Sequence, residues 1–226
     1  MDQIRINVSG NSTAQQVYNW LHGLILRGVL EPGARLSETE IAQQAGVSRQ
    51  PVREAFIRLT ATGLAEVRPQ RGTFIGRISV KAVLSARLIR EAVESDLIRM
   101  LSANAGTDVL NRLEQQLVAQ RKASKAQDVE TFITLDDQFH HDLAVAAGHG
   151  DVWDVLEGLK SQMNRLRHIT ARVFDHQKLI EQHEAIVESL HRGDGEAAEQ
   201  AMRSHLREVL NDLPAITKAK PEFFTD

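Results

Sequence analysis

"GVSRQPVREAFIRLTATG", residues 46–63, carries a helix with both ends marked. Ser48 is placed to cap it and Pro51 falls in the first turn, where a missing N–H costs little. Val52, Ala55, Phe56 and Leu59 form its apolar stripe. Immediately before it, "SETEIAQQA" predicts another helix, opened by a capping box of Ser37 and Glu40 and closed by Gly46. Two helices joined by so short a glycine-containing turn predict a helix-turn-helix whose second helix enters the DNA major groove. Arg49 and Arg53, at i and i+4, share one face of that helix near its start, where a guanidinium can make bidentate contact with guanine.

The flanks extend this unit. In "TAQQVYNWLHGLILRG", Val17, Trp20, Leu21, Leu24 and Ile25 form the stripe of an earlier amphipathic helix that Gly28 can end. After Gly63, "LAEVR" and "TFIGR" read as short strands around "PQRG", a hairpin with Arg71 and Gly72 at its tip. Such a wing can place an arginine in the minor groove, and Arg35, ahead of the second helix, can reach a phosphate. Charge supports the placement. Residues 1–78 hold nine arginines, no lysine and six acids, a balance of +3, whereas the rest of the chain carries −6. Such asymmetry points to a polyanion partner for the first segment, and guanidinium suits phosphate and guanine better than ammonium does.

From Leu21 to Gly76 the chain resembles the winged helix-turn-helix of the GntR superfamily of bacterial transcription regulators. The resemblance rests on the "PG-x-x-LSE" entry, the "GVSR-x-PVREA-x-x-RL" recognition segment and the "GL-x-x-x-x-x-x-x-G-x-F" wing. It implies DNA contacts from Arg35, Ser48, Arg49, Gln50, Arg53, Arg71 and Gly72. Arg58 falls toward the far side of the helix from Arg49.

Beyond residue 78 no segment reads as a strand. Helical patterning covers about 80–104, 107–126, 128–147, 150–173, 176–192 and 194–213, and the last residues, "TKAKPEFFTD", read as a loose tail. The expected fold class is therefore mainly α: a winged helix-turn-helix over 1–78, then an all-α antiparallel six-helix bundle over 79–226. Cysteine is absent, which excludes disulfides, thiolate metal sites and a cysteine nucleophile. The N-terminus lacks the apolar core of a leader, and no stretch approaches a membrane span, so a cytoplasmic protein is expected.

"LDDQFHHDL", residues 135–143, sets two aspartates and two histidines side by side. Phe132, Leu135, Phe139, Leu143 and Ala147 define the buried stripe of this helix. Asp136 and His140 sit in or beside it, and Asp137 and His141 lie about 100° further round. On the next-to-last helix His183 joins the stripe of Leu179, Ile186, Val187 and Leu190. On the last, His205 joins that of Ala198, Ala201, Met202, Val209 and Leu213. A carboxylate and three imidazoles on apolar faces are costly unless paired, and one dication would satisfy all four. The N3O set is compatible with zinc, nickel, iron, cobalt or manganese, and ligand softness alone does not choose among them. The rival reading is enzymatic: His141-Asp142 is reminiscent of HD-type phosphohydrolases, although the two do not share the buried stripe and no Glu-x-x-His pair accompanies them.

The pattern "D-x-x-FH-x-x-L-x-x-AAG" from Asp136, with "EQHEAIVESLHRGD-x-x-AAEQAMRSHL" after it, resembles the FCD ligand-binding domain of the FadR-like branch of the superfamily. That resemblance implies a metal on Asp136, His140, His183 and His205, a small carboxylate effector beside it, and Arg90 as a partner for that anion, although Arg90 can also pair with Glu94 at i+4. Six helices suggest the VanR-type subgroup. His149 stands where the family often has asparagine. His22, His141, His149, His168, His176 and His191 read as ordinary polar residues. The expected function is a homodimeric, sequence-specific DNA-binding transcription regulator, a repressor on a palindromic operator, whose binding the effector modulates; a metal-sensing regulator is the remaining alternative.

Overall fold

The computed structural model describes residues 11–170 and 175–226. The N-terminal stretch read above for a leader, and the end of the helix expected over 150–173, fall at least partly outside them. The chain divides into two compact units, residues 1–80 with 219–226, and residues 81–218.

In the first unit, α1 (Thr13–Leu26) packs on α3 (Arg49–Ala61), and α2 (Glu38–Ala45) packs beside α3. Val17, Leu21, Leu24, Ile41, Val52, Phe56 and Leu59, all nearly sealed from solvent, make one core with Leu64 and Ile75 from the hairpin. Each such side chain contributes roughly 1.5–3 kcal/mol by burial. Ser37 caps α2, its hydroxyl accepting from the Glu40 N–H at 3.3 Å. Gly46 closes α2 in the left-handed conformation (φ +63°) that lets α3 start three residues later. The wing is β2 (Ala65–Arg68) against β3 (Gly72–Ile75), antiparallel, and β1 (Arg35–Leu36) pairs with the other edge of β3.

This unit also holds the segment expected to be a loose tail. β4 (Ile78–Ser79) pairs in parallel with β5 (Phe224–Thr225), in register Ile78 to Phe224 and Ser79 to Thr225. Phe223 and Phe224 are buried. Apolar burial holds the segment down. Residues 219–226 thus group with the winged unit, whereas the sequence reading gave all of 79–226 to the helical one.

The second unit contains α4 (Val80–Ser102, which starts at the division), α5 (Thr107–Lys125), α6 (Val129–Ala146), α7 (Gly150–Leu159), α8 (Ser161–Thr170), α9 (His176–His191), α10 (Gly195–Arg207) and α11 (Val209–Ala219). The mainly α fold holds, but two of the six expected helical stretches are each broken. The stretch from 150 breaks at Lys160, where the buried ammonium lies 3.0 Å from Asp137, 2.8 Å from Glu157 and 4.2 Å over the Trp153 ring. The last stretch breaks at Glu208, and α11 runs through Pro214 to Ala219. The carbonyl deprived of a partner by Pro214 belongs to half-exposed Leu210, where water can serve it. Helix number therefore cannot assign the VanR-type subgroup. Ile98, Leu113, Leu117, Phe139, Ile186 and Met202 join α4, α5, α6, α9 and α10 in one core, and the buried polar cluster described next is set into it.

Candidate metal centre and nucleic-acid interface

Asp136 and His140, one turn apart on α6, meet His183 of α9 and His205 of α10; all four are buried, and one donor atom from each lies within 4.8 Å of the others. His205 Nε2 is 3.1 Å from His140 Nε2 and 3.3 Å from His183 Nε2, and Asp136 Oδ1 is 3.7 Å from His183 Nε2. The opposite ring nitrogens all face oxygen, and two of them are hydrogen-bonded to it. His140 Nδ1 lies 2.6 Å from Glu94 Oε2, His183 Nδ1 donates to Gln120 Oε1 at 2.9 Å, and His205 Nδ1 donates to Gln182 Oε1 at 3.0 Å. Gln182 donates its own amide N–H to Glu208 at 2.8 Å, which fixes the orientation of that side chain.

With the protons on Nδ1, the three Nε2 atoms are lone pairs aimed at one another. Burial keeps His183 and His205 neutral. It lowers His183 to about 3 against the pull of Asp136, and His205 well below its ordinary value, with His183 and His140 adding to the effect. Lone pairs this close repel unless a cation lies between them. Metal–nitrogen bonds of about 2.1 Å require N···N separations of about 3.0 Å at 90° and about 3.4 Å at the tetrahedral angle, and the two Nε2–Nε2 distances fall in that interval. The donor set fits a divalent ion.

The outer oxygen of Asp136 accepts from Arg167 Nη2, whose Nη1 reaches Asp137 at 2.8 Å. Burial would raise the Asp136 carboxyl, but Arg167, with the histidines, holds it far below the usual carboxylate range. Arg90 is buried and binds Glu94 twice, at 2.6 and 3.3 Å. Burial also opposes ionisation of Glu94, yet Arg90 and His140 hold it at about 2. A cavity of about 80 Å³ adjoins the cluster, with Arg90, Asp136, Arg167 and His205 on its polar side and Phe132, Met163 and Leu206 among its apolar lining.

In the first unit, Arg35, Arg49, Arg53 and Gly72 line one surface depression together with Glu38. Glu38, the first residue of α2, accepts from Arg49 at 2.8 Å and from Arg53 twice at 3.2 Å. Gly72 has φ +106°, a conformation that side-chain-bearing residues rarely adopt, and its Cα faces the Arg35 guanidinium, which a Cβ there would just touch at 3.4 Å. Ser48, Gln50 and Arg71 are exposed but do not line the depression. Ser48 stands at the N-cap of α3 without a capping hydrogen bond, and Gln50 donates to Glu54 at 3.0 Å. Arg58 lies 4.2 Å over the Tyr18 ring and donates to Gln15, committed to α1.

Residues 13–75 match the family described as bacterial regulatory proteins, gntR family, and residues 87–208 match the FCD domain. The HTH-type transcriptional repressor RspR of Escherichia coli K12 is 37% identical over 216 residues, covering 94% of this chain and 93% of its own length. The chain belongs to the GntR family. Among solved structures, a GntR transcriptional regulator from Rhodococcus sp. RHA1 superposes with a TM-score of 0.72 at 26% identity, over 91% of this chain and 99% of that one. E. coli McbR/YncC, at 22% identity and the same TM-score over 92% and 99%, shares the fold. GntR-family proteins are transcription regulators that bind DNA and are not enzymes, and this chain is one of them.

The His141-Asp142 pair of this GntR chain stands apart from the buried cluster of Asp136, His140, His183 and His205. The two side chains contact each other at 2.9 Å, and Asp142 accepts from Gln116 and Gln138. His149 stands at the N-cap of α7 and does not line the cavity. His176, read from sequence as an ordinary polar residue, is a correction: it lines the cavity and stacks on Phe132 at 4.2 Å. Sequence reading missed Arg167, Gln120 and Gln182, and named Glu94 only as a partner for Arg90. Gln120 lies on the apolar stripe of α5 with Leu113 and Leu117, a visible signal; Arg167 gave none until α8 was separated from α7.

Proposed function

We propose that this DNA-binding regulator is a cytoplasmic homodimeric repressor of a palindromic operator, released or tightened by a small carboxylate bound beside a divalent metal. The observation that carries the reading is the convergence of three imidazole Nε2 atoms, two of which belong to rings whose Nδ1 protons are already committed to glutamine oxygens. Asp136, His140, His183 and His205 would hold the ion, zinc first among the candidates. Once bound, the ion supplies a Lewis-acidic positive centre at the floor of the cavity.

The chain's own residues do the rest. Arg90 presents a guanidinium to the cavity while Glu94 balances its charge, and Arg167 does the same against Asp136 and Asp137. An anionic ligand is thereby attracted at one pole, and Phe132, Met163 and Leu206 exclude water from its carbon skeleton. On DNA, Arg49 and Arg53 would read base edges, Arg35 and Ser48 would contact phosphates, Gln50 would approach a neighbouring base, and Arg71 with Gly72 would enter the minor groove. A ligand shifts operator affinity only through unequal affinity for the DNA-bound and free arrangements.

Elemental analysis of protein purified without chelator, followed by operator selection from random duplex DNA and binding assays with chelator and with a panel of small acids, tests the whole reading. About one metal per chain and an acid-dependent change in operator affinity are expected. Acid-independent binding that follows metal alone would make the ion itself the signal. Metal-free protein with unchanged affinity would remove the centre from the mechanism.

A further inference from the structure

The two arginines that face the DNA are not free in this structure: one carboxylate occupies both. Glu38 receives Arg49 at 2.8 Å and Arg53 at 3.2 Å through two nitrogens, the fork that a phosphate or the O6/N7 edge of guanine would otherwise fill. The arrangement contributes little to folding. Arg49 and Arg53 are 60% and 55% exposed, and ion pairs between exposed side chains are nearly neutral in stability. Its effect falls instead on what the arginines meet. The hydrogen bonds from Arg53 and Arg49 lower the Glu38 carboxyl below its ordinary value, so it meets an approaching duplex as an anion.

We propose that Glu38 is a specificity-determining residue: an internal stand-in for DNA that any duplex must displace, so that only a sequence offering Arg49 and Arg53 better partners than a carboxylate is bound tightly. Random DNA offers phosphates at the groove edge, which replace one anion by another and must also tolerate the displaced Glu38 charge nearby. An operator offers base edges that hold the guanidiniums while Glu38 withdraws. The carboxylate therefore weakens non-operator binding more than operator binding and widens the ratio between them, a form of discrimination by an unfavourable element against the wrong partner. This rests on the DNA-reading role of α3 proposed above.

The test compares full-length wild type, Glu38→Gln and Glu40→Gln on an operator selected with wild type and on a random duplex of equal length, across a salt series. Glu40 lies on the same helix and in no ion pair among the described residues, so its substitution makes the same charge change without freeing the arginines. Glu38→Gln is expected to bind random DNA about three- to tenfold tighter near 0.1 M salt, with a steeper salt dependence by about one phosphate equivalent, and to change operator affinity less. Glu40→Gln is expected to shift both duplexes by a similar, smaller factor. The proposal is overturned if Glu38→Gln binds random DNA no tighter than wild type does. It is equally overturned if operator affinity falls while random-DNA affinity stays put, the result for a residue that merely orients the arginines. Thermal melts confirm that each variant is folded, and wild type that selects no sequence would count against the DNA-reading role itself.

Discussion

At the scale of single residues, the four-residue cluster behaves as one unit because His183 and His205 are each held at Nδ1 by a glutamine and turn Nε2 toward the same point. Replacing His183 or His205 by alanine removes a donor and leaves Gln120 or Gln182 without its partner. Metal affinity is expected to fall by more than about 100-fold in either variant, read by competition with a chromophoric chelator, with helical content retained. The same burial predicts acid sensitivity of the metal-free protein. His183 is held neutral down to about pH 3 in the folded chain but takes up a proton near its ordinary value of 6.5 once unfolded. Between those values the unfolded state binds more protons, so stability drops as pH falls below about 6.5 and keeps dropping toward 3. Urea melts of chelated protein at pH 7.5 and pH 5 should show a lower midpoint at pH 5; an unchanged or higher midpoint would contradict neutral burial of this imidazole. Glu94, depressed to about 2, contributes in the same direction, but only below about pH 4.5.

Among the elements, the turn between α2 and α3 and the break between α7 and α8 place the two sites. Gly46→Ala forces a Cβ into the left-handed region with no atom within 4 Å, so only backbone strain is added; a loss of about 1 kcal/mol in urea unfolding is expected. Lys160→Ala strands Glu157 and half of the Asp137 pairing and empties the space over Trp153; a loss of about 2–3 kcal/mol is expected by the same measurement. Lys160 also explains where the sequence was legible and where it was not. Stripes at helical spacing made α1, α3, α6, α9 and α10 readable, and they separated Asp136 from Asp137 and His140 from His141. Trp153, Leu156, Lys160, Met163 and Leu166 keep that same spacing straight across the break, because each half buries the same side. Periodicity reports which side is buried and is blind to a change of axis. The two-residue strands β4 and β5 are too short to have a period at all, and the Phe223-Phe224 pair was the only mark the second of them left.

In the molecule as a whole, the winged unit is assembled from both ends of the described chain. Phe224→Ala is expected to destabilise that unit by about 3 kcal/mol, seen as an earlier first transition in calorimetry, while metal content stays at wild-type level. A single unshifted transition would show that the strand pair adds nothing to the unit. The pairing of β4 with β5 also imposes an order on biosynthesis. A ribosome delivers β4 early, but its partner emerges only after every helix from α4 to α11, so the nascent head waits with the edge of Ile78 open until translation has passed Thr225. Products of premature termination within those helices would carry the arginines of α3 on an unfinished scaffold, one still lacking the strand that covers Ile78.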